Sequence, residues 1–136
     1  MNISTFDDLI TAARQQPDPQ RLLFVFTRAE APDADATPEQ RAAYEAGHGG
    51  TLTPLACLDK TPEEITNFQS LNAEAIQYVP DWSIVFVAAL GSPTAEAPTT
   101  EDAEAHLNQM VEMIKVGEID RMIPFNTQGH AVALGT

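Results

Sequence analysis

The stretch Trp82-Ser-Ile-Val-Phe-Val-Ala-Ala-Leu90, entered after Pro80 and closed by Gly91, constrains this chain more than any other. A half-exposed strand alternates apolar and polar residues. A near-continuous run of β-branched and aromatic residues, bounded by proline and glycine, is instead the pattern of a strand buried on both faces. Such a strand belongs in the middle of a sheet with helices packed on it. Leu22-Leu-Phe-Val-Phe-Thr27 has the same character and is the second buried-strand candidate.

The remaining segments read as the elements that cover and extend these two strands. Phe6, Leu9, Ile10 and Ala13 recur at the spacing of one helix face. Ser4 or Thr5 can serve as the cap, Asp7 and Asp8 lie in the first turn, and Pro17 and Pro19 stop the helix. Residues 28–50 form a long connection containing one capping box, in which Thr37, Pro38 and Gln40 start a short helix that ends at Ala46 before Gly47. Residues 51–58 read as a third strand, which Pro54 restricts to an edge or a bulge because proline cannot donate to a ladder.

Thr61-Pro62-Glu63-Glu64 is the best helix start in the chain, with a hydroxyl cap, proline at N1 and glutamate at N3. Ile65, Phe68, Leu71, Ala75, Ile76 and Val79 supply the apolar face of a helix of about four turns that Pro80 ends. Strand, helix and strand in this order predict parallel pairing between residues 51–58 and 82–90. A polar loop over 92–100 leads to a third helix, capped by Thr99 with Asp102, packed through Leu107, Met110, Val111 and Ile114, and closed by Gly117. Residues 122–125 and 130–134 flank Asn126-Thr-Gln-Gly129, a hairpin turn with Gly129 in the left-handed position. The expectation is a single domain over 1–136, of α/β class with α+β as the alternative. It consists of a mixed five-stranded sheet and three main helices in the order α-β-β-α-β-α-β-β.

Charge narrows the partners. The chain carries 20 Asp and Glu against 7 Lys and Arg, a formal net charge of −13. Such a field repels phosphate backbones and anionic membrane surfaces, so nucleic acid and membrane are excluded as expected partners. High solubility or a basic protein partner both fit. No stretch reaches the ~18 uninterrupted apolar residues of a membrane span. The N-terminus has no basic region followed by an apolar one. With Cys57 as the single cysteine, these features lead to an expectation of a cytoplasmic protein without disulfides.

Residues with chemistry are few and scattered. His48 lies among glycines in Ala-Gly-His-Gly-Gly, but a strand follows and no Lys or Arg is near, so the anion cradle of a glycine loop is incomplete. His106 reads as a helix-surface residue and His130 as a hairpin-edge residue. Cys57, beside Leu55 and Leu58, reads as a small core hydrophobe. Asp33 and Asp35 lack the rest of a calcium loop, and no pattern calls for a metal or other cofactor. Ligands of parallel sheets bind beyond the carboxyl ends of strands. Asp59, Lys60 and Ser92 would fall there, which makes them with His48 the candidate pocket for a small anionic ligand. Trp82, with Tyr78 nearby, is the candidate interaction anchor or a residue of the core rim.

Leu22-Leu-Phe-Val-Phe-Thr-Arg28, Gly50-Thr-Leu-Thr-Pro-Leu-Ala-Cys-Leu-Asp-Lys60, the 82–90 run and Ile123-Pro-Phe-Asn-Thr-Gln-Gly129 together resemble a family of small proteobacterial proteins. Some members of that family are labelled ribonucleotide reductase alpha subunit. The resemblance spans nearly the whole chain and carries over no catalytic residue. That reductase's large chain is several times longer and uses several cysteines for radical transfer and turnover. Against the single Cys57 the resemblance implies at most an accessory role. The reading of the residues is therefore a small, acidic, non-enzymatic accessory or protein-interaction domain. The alternative is a small enzyme or anionic-ligand-binding domain that uses the strand-end loops.

Overall fold

Four strands, β1 (Gln20–Glu30), β2 (Thr51–Lys60), β3 (Ile84–Gly91) and β4 (Ile123–Phe125), form one sheet in the order β2-β1-β3-β4, antiparallel at every pairing. The computed structural model describes residues 3–17, 19–30, 38–39, 42, 51–91, 98–116, 118–119 and 122–132. Helices α1 (Phe6–Arg14), α2 (Phe68–Ala75) and α3 (Thr100–Lys115), with a 3-10 turn at Pro62–Glu64, complete an α+β fold.

This corrects the expected α/β class and five-stranded mixed sheet. The parallel contact between β2 and β3 does not form, because β1 lies between them. β1 pairs with β2 from Leu22↔Lys60 to Glu30↔Thr51, and with β3 from Gln20↔Gly91 to Thr27↔Ile84. Two strands antiparallel to the same neighbour run in one direction, so the strand-helix-strand connection keeps its expected sense while losing the expected adjacency. The cause lies in β1 itself. It is apolar on both faces and 11 residues long, and both rows of its buried backbone groups require partners.

The fifth strand also fails to form among the described residues. The turn before it is as expected: Gly129 has φ 78°, and the Gly129 N–H donates to the Asn126 carbonyl at 3.0 Å. Beyond the turn, however, the backbone is divided between two partners. Ala131 N–H donates to Ser4 O at 2.8 Å and Val132 N–H to Pro124 O at 3.0 Å, leaving only the isolated bridges Thr5↔His130 and Phe125↔Ala131.

Local capping decided the helices. Thr5 Oγ1 accepts from Asp8 N–H at 3.2 Å, while the Asp8 carboxylate accepts from Ser4 and Thr5 N–H at 3.1 Å each. These backbone hydrogen bonds hold the Asp8 pKa below the usual carboxylate range. The same reciprocal box, Thr99 with Asp102, opens α3. The four-turn helix expected from Thr61 to Val79 is instead broken in two. After the 3-10 turn, Asn67 Oδ1 accepts from Ser70 N–H at 2.9 Å and starts α2 afresh, a side-chain bond that competes with continued helix. The break turns Ile65 and Phe68 both into the core. Of the short helix expected over 37–46, Pro38, Glu39 and Ala42 are described and helical, and the rest lies outside the described residues.

The two-residue period of the strands sorts the core into two layers. Leu22, Phe24, Phe26, Val85, Val87 and Phe125 face α1 and α2. Leu23, Val25 and Phe86 face α3, meeting Leu107, Met110 and Ile114. Burial on both faces, expected along the whole 82–90 run, holds for Val85, Phe86 and Val87, whereas the Ala88–Gly91 end is more open.

Candidate functional site

The pleat of β2 separates the two strand-end residues that the sequence brought together. Asp59 and Lys60 are adjacent, so their side chains leave opposite faces of the sheet. On the α3 face, the Asp59 carboxylate accepts from Arg21 Nε at 2.5 Å and from Thr100 Oγ1 at 2.8 Å. Arg21 in turn donates through Nη2 to Thr100 Oγ1 at 2.8 Å and through Nη1 to Pro98 O at 3.3 Å. Both ionised side chains are 14% exposed. This set clamps the start of α3 onto β1 and β2 through a single carboxylate oxygen, Asp59 Oδ2.

On the opposite face Lys60 Nζ pairs with Glu74 Oε1 at 2.9 Å. It lines a depression of about 130 Å³ with Glu64, Thr66, Ser70 and Glu74. Glu64 accepts from the Thr61 N–H at 2.9 Å and from its hydroxyl at 3.0 Å, and these bonds, the backbone one foremost, hold its pKa below the usual carboxylate range. Two carboxylates face one ammonium here, so the potential disfavours the anion that the sequence suggested. His48 and Ser92 lie outside the described residues, and His106 and His130 are exposed. Among the described residues no group of three or more His, Cys, Asp or Glu could hold a metal ion.

Trp82 belongs to the core. It is 4% exposed, meets Phe26 edge-on with ring centroids 5.3 Å apart, and donates from Nε1 to Asn72 Oδ1 at 2.9 Å. The polar tip is satisfied inside the fold, as a buried indole requires. Its companion Tyr78 is 71% exposed and Ile76 is 46% exposed, both just past the end of α2. Cys57 corrects another expectation. The residue is exposed rather than in the core, because β2 is the outermost strand. Partial burial of its thiol pushes the pKa up.

The surface that the sequence did not disclose is the margin of β2. Phe26, Ala56, Leu58, Ala75, Tyr78 and Val79 line a largely apolar groove of about 220 Å³, with Cys57 beside it. It lies between β2 and the end of α2, where the helix stops at Ala75, the chain turns back toward Trp82, and Ala56 is small. The outer backbone edge of β2 runs alongside. β2 pairs with β1 on one side only, among the described strands. Pro54 removes one donor from it, and the register shift opposite Phe26 and Thr27 leaves Leu55 without a partner residue. Residues 55–60 are therefore the longest proline-free part of the strand. In the sequence the one available signal was Pro54, which marks an edge strand, combined with an exposed tyrosine close after a helix end.

Comparison with known proteins adds no family to this picture: no family model, no curated protein and no solved structure matches the chain. No helix among the described residues is long and apolar enough to cross a membrane.

Proposed function

We propose that this chain is a non-enzymatic accessory domain, acting in the cytoplasm, that takes an extended segment of another protein onto the outer edge of β2. One observation carries the reading: a strand edge unpaired among the described strands lies directly beside an apolar groove rimmed by an exposed tyrosine. Strand addition uses these two features together. Main-chain hydrogen bonds supply affinity and a pocket for alternate side chains supplies selectivity. Tyrosine at the rim contributes a large contact area at low entropic cost. The resemblance to the small proteobacterial family fits an accessory role and contributes no catalytic residue. Use of the strand ends for ligand binding or catalysis has less behind it, since Asp59 and Lys60 diverge and each is held by a partner within the chain.

The test compares wild type with Tyr78→Ser as bait, because Ser at so exposed a site leaves the core intact. A partner bound by wild type, lost from the variant, and slowing hydrogen exchange at residues 55–60 in the complex is the expected outcome. Partners retained equally by both baits, with exchange in β2 unchanged, would overturn the proposal.

A further inference from the structure

Resting on that reading, we infer that the segment added to β2 is basic and alternating, with apolar side chains at every second position and Lys or Arg between them. The period of two follows from the sheet. Successive side chains of an added strand would point to opposite faces, one set over the groove and the other toward the α3 side. The groove set meets Phe26, Leu58 and Val79 and is therefore apolar.

The other set meets acidic surface. Thr100 touches Asp59, which fixes the start of α3 at the residue 59 end of β2. Glu104, exposed, lies one turn further along the flank of α3 that carries Thr100. Glu101 is exposed in the same first turns. Among the described residues little positive charge is left to neutralise this region. Of its 7 Lys and Arg, those among the described residues are already engaged. Arg14 donates to the Pro62 and Ile65 carbonyls. Arg21, Arg28, Lys60 and Lys115 pair with Asp59, Asp81, Glu74 and Glu112. A second copy of this chain is the wrong occupant, since it would bring a net charge of −13 against −13. A lysine- or arginine-bearing strand relieves that repulsion and gains from it.

The probes are two fluorescein-labelled heptapeptides, one of alternating valine and lysine and one of alternating valine and glutamate. They are titrated by fluorescence anisotropy into wild type, Tyr78→Ser and Glu104→Lys. The lysine peptide is expected to bind wild type and to slow exchange at residues 55–60. Its affinity should fall on the order of tenfold in Tyr78→Ser and several-fold in Glu104→Lys, and the glutamate peptide should not bind. Equal, Tyr78-dependent binding of both peptides would overturn the basic character and leave strand docking standing, as would lysine-peptide binding unchanged by Glu104→Lys. Absence of binding by either peptide, or binding indifferent to Tyr78→Ser with no slowed exchange, would overturn docking itself. A concentration-dependent dimer in sedimentation velocity that protects residues 55–60 would assign the edge to a second copy and overturn the inference.

Discussion

The two faces of the sheet are closed by different means. On the α1 and α2 face an aromatic cluster does the work: Phe6 touches Phe24, Phe68 and Phe125 at ring-centroid distances of 5.8, 5.5 and 5.5 Å, and Trp82 extends the set to Phe26. On the α3 face the fillers are aliphatic and methionine side chains, and α3 is fastened at its start by the Arg21, Asp59 and Thr100 set. The aromatic layer is dense over β1, β3 and β4 and stops short of β2, whereas the α3 layer reaches β2. Among the described residues β2 is therefore fastened to the start of α3 on one face, while on the other Leu55 and Leu58 pack against the aromatic layer beside the groove.

The largest expected effect tests that contrast directly. Phe6→Ala removes the ring that joins three others and should cost about 3–5 kcal/mol, against about 2–3 kcal/mol for Met110→Ala, whose flexible neighbours repack more readily. Urea unfolding of both variants checks this, and a costlier Met110→Ala would break the comparison.

Gly129→Ala comes next. Its φ of 78° is left-handed, and a Cβ there would stand 2.8 Å from Phe68 Cγ. Strain and overpacking together should cost about 1–3 kcal/mol. Part of the loss should return in a Phe68→Leu background, and no recovery there would mean that backbone strain alone sets the cost.

On the other face Asp59→Asn should cost about 1–2 kcal/mol by leaving a mostly covered guanidinium short of its counter-charge. Asp59→Leu with Arg21→Met should cost less than Asp59→Asn alone. A double variant no better than the single one would show that the clamp owes its effect to packing rather than to paired charge.

A smaller effect is read by pH. Asp8 and Glu64, which cap α1 and the 3-10 turn, have folded-state pKa values below their ordinary ones, as does Asp81 beside Arg28. Depressed carboxylates stabilise the fold above their unfolded values, and that contribution is lost as pH falls through the folded ones. Below about pH 4, amides in the first turn of α1 should therefore lose exchange protection. Protection that does not change there would contradict the assignment. Smallest of all, Tyr78→Ser should change stability by no more than about 0.5 kcal/mol, which circular dichroism melts can check. A larger loss would mean that the tyrosine supports the fold rather than lining a docking surface.

Much of the architecture was legible in the chain. Capping boxes and apolar spacing located α1 and α3 because those signals are local, made by residues three or four apart. Two runs without polar interruption identified β1 and β3 as interior strands, Pro54 marked β2 as an edge, and Gly129 marked the turn. The break at Asn67 was missed because the Thr61 cap and the apolar face continue through it, and Asn67 with Ser70 is a second cap inside an apparently continuous helix. The candidate site was far less legible. Trp82 read as a core-rim residue ahead of an anchor, and its contacts with Phe26 and Asn72 place it in the core.

What the sequence determined by itself was where the four strands and helices α1 and α3 lie; the restart of the second helix at Asn67 and the absence of a fifth strand among the described residues were decided elsewhere. Tertiary structure decided adjacency. β1 inserts between β2 and β3 because hydrogen-bond demand on two edges is met by neighbours distant in the chain, and no local pattern encodes which ones. The same long-range choice places β2 outermost, pairs Asp59 with Arg21 and Lys60 with Glu74 on opposite faces, and leaves beside Tyr78 the open groove that Phe26, Ala56 and Leu58 line.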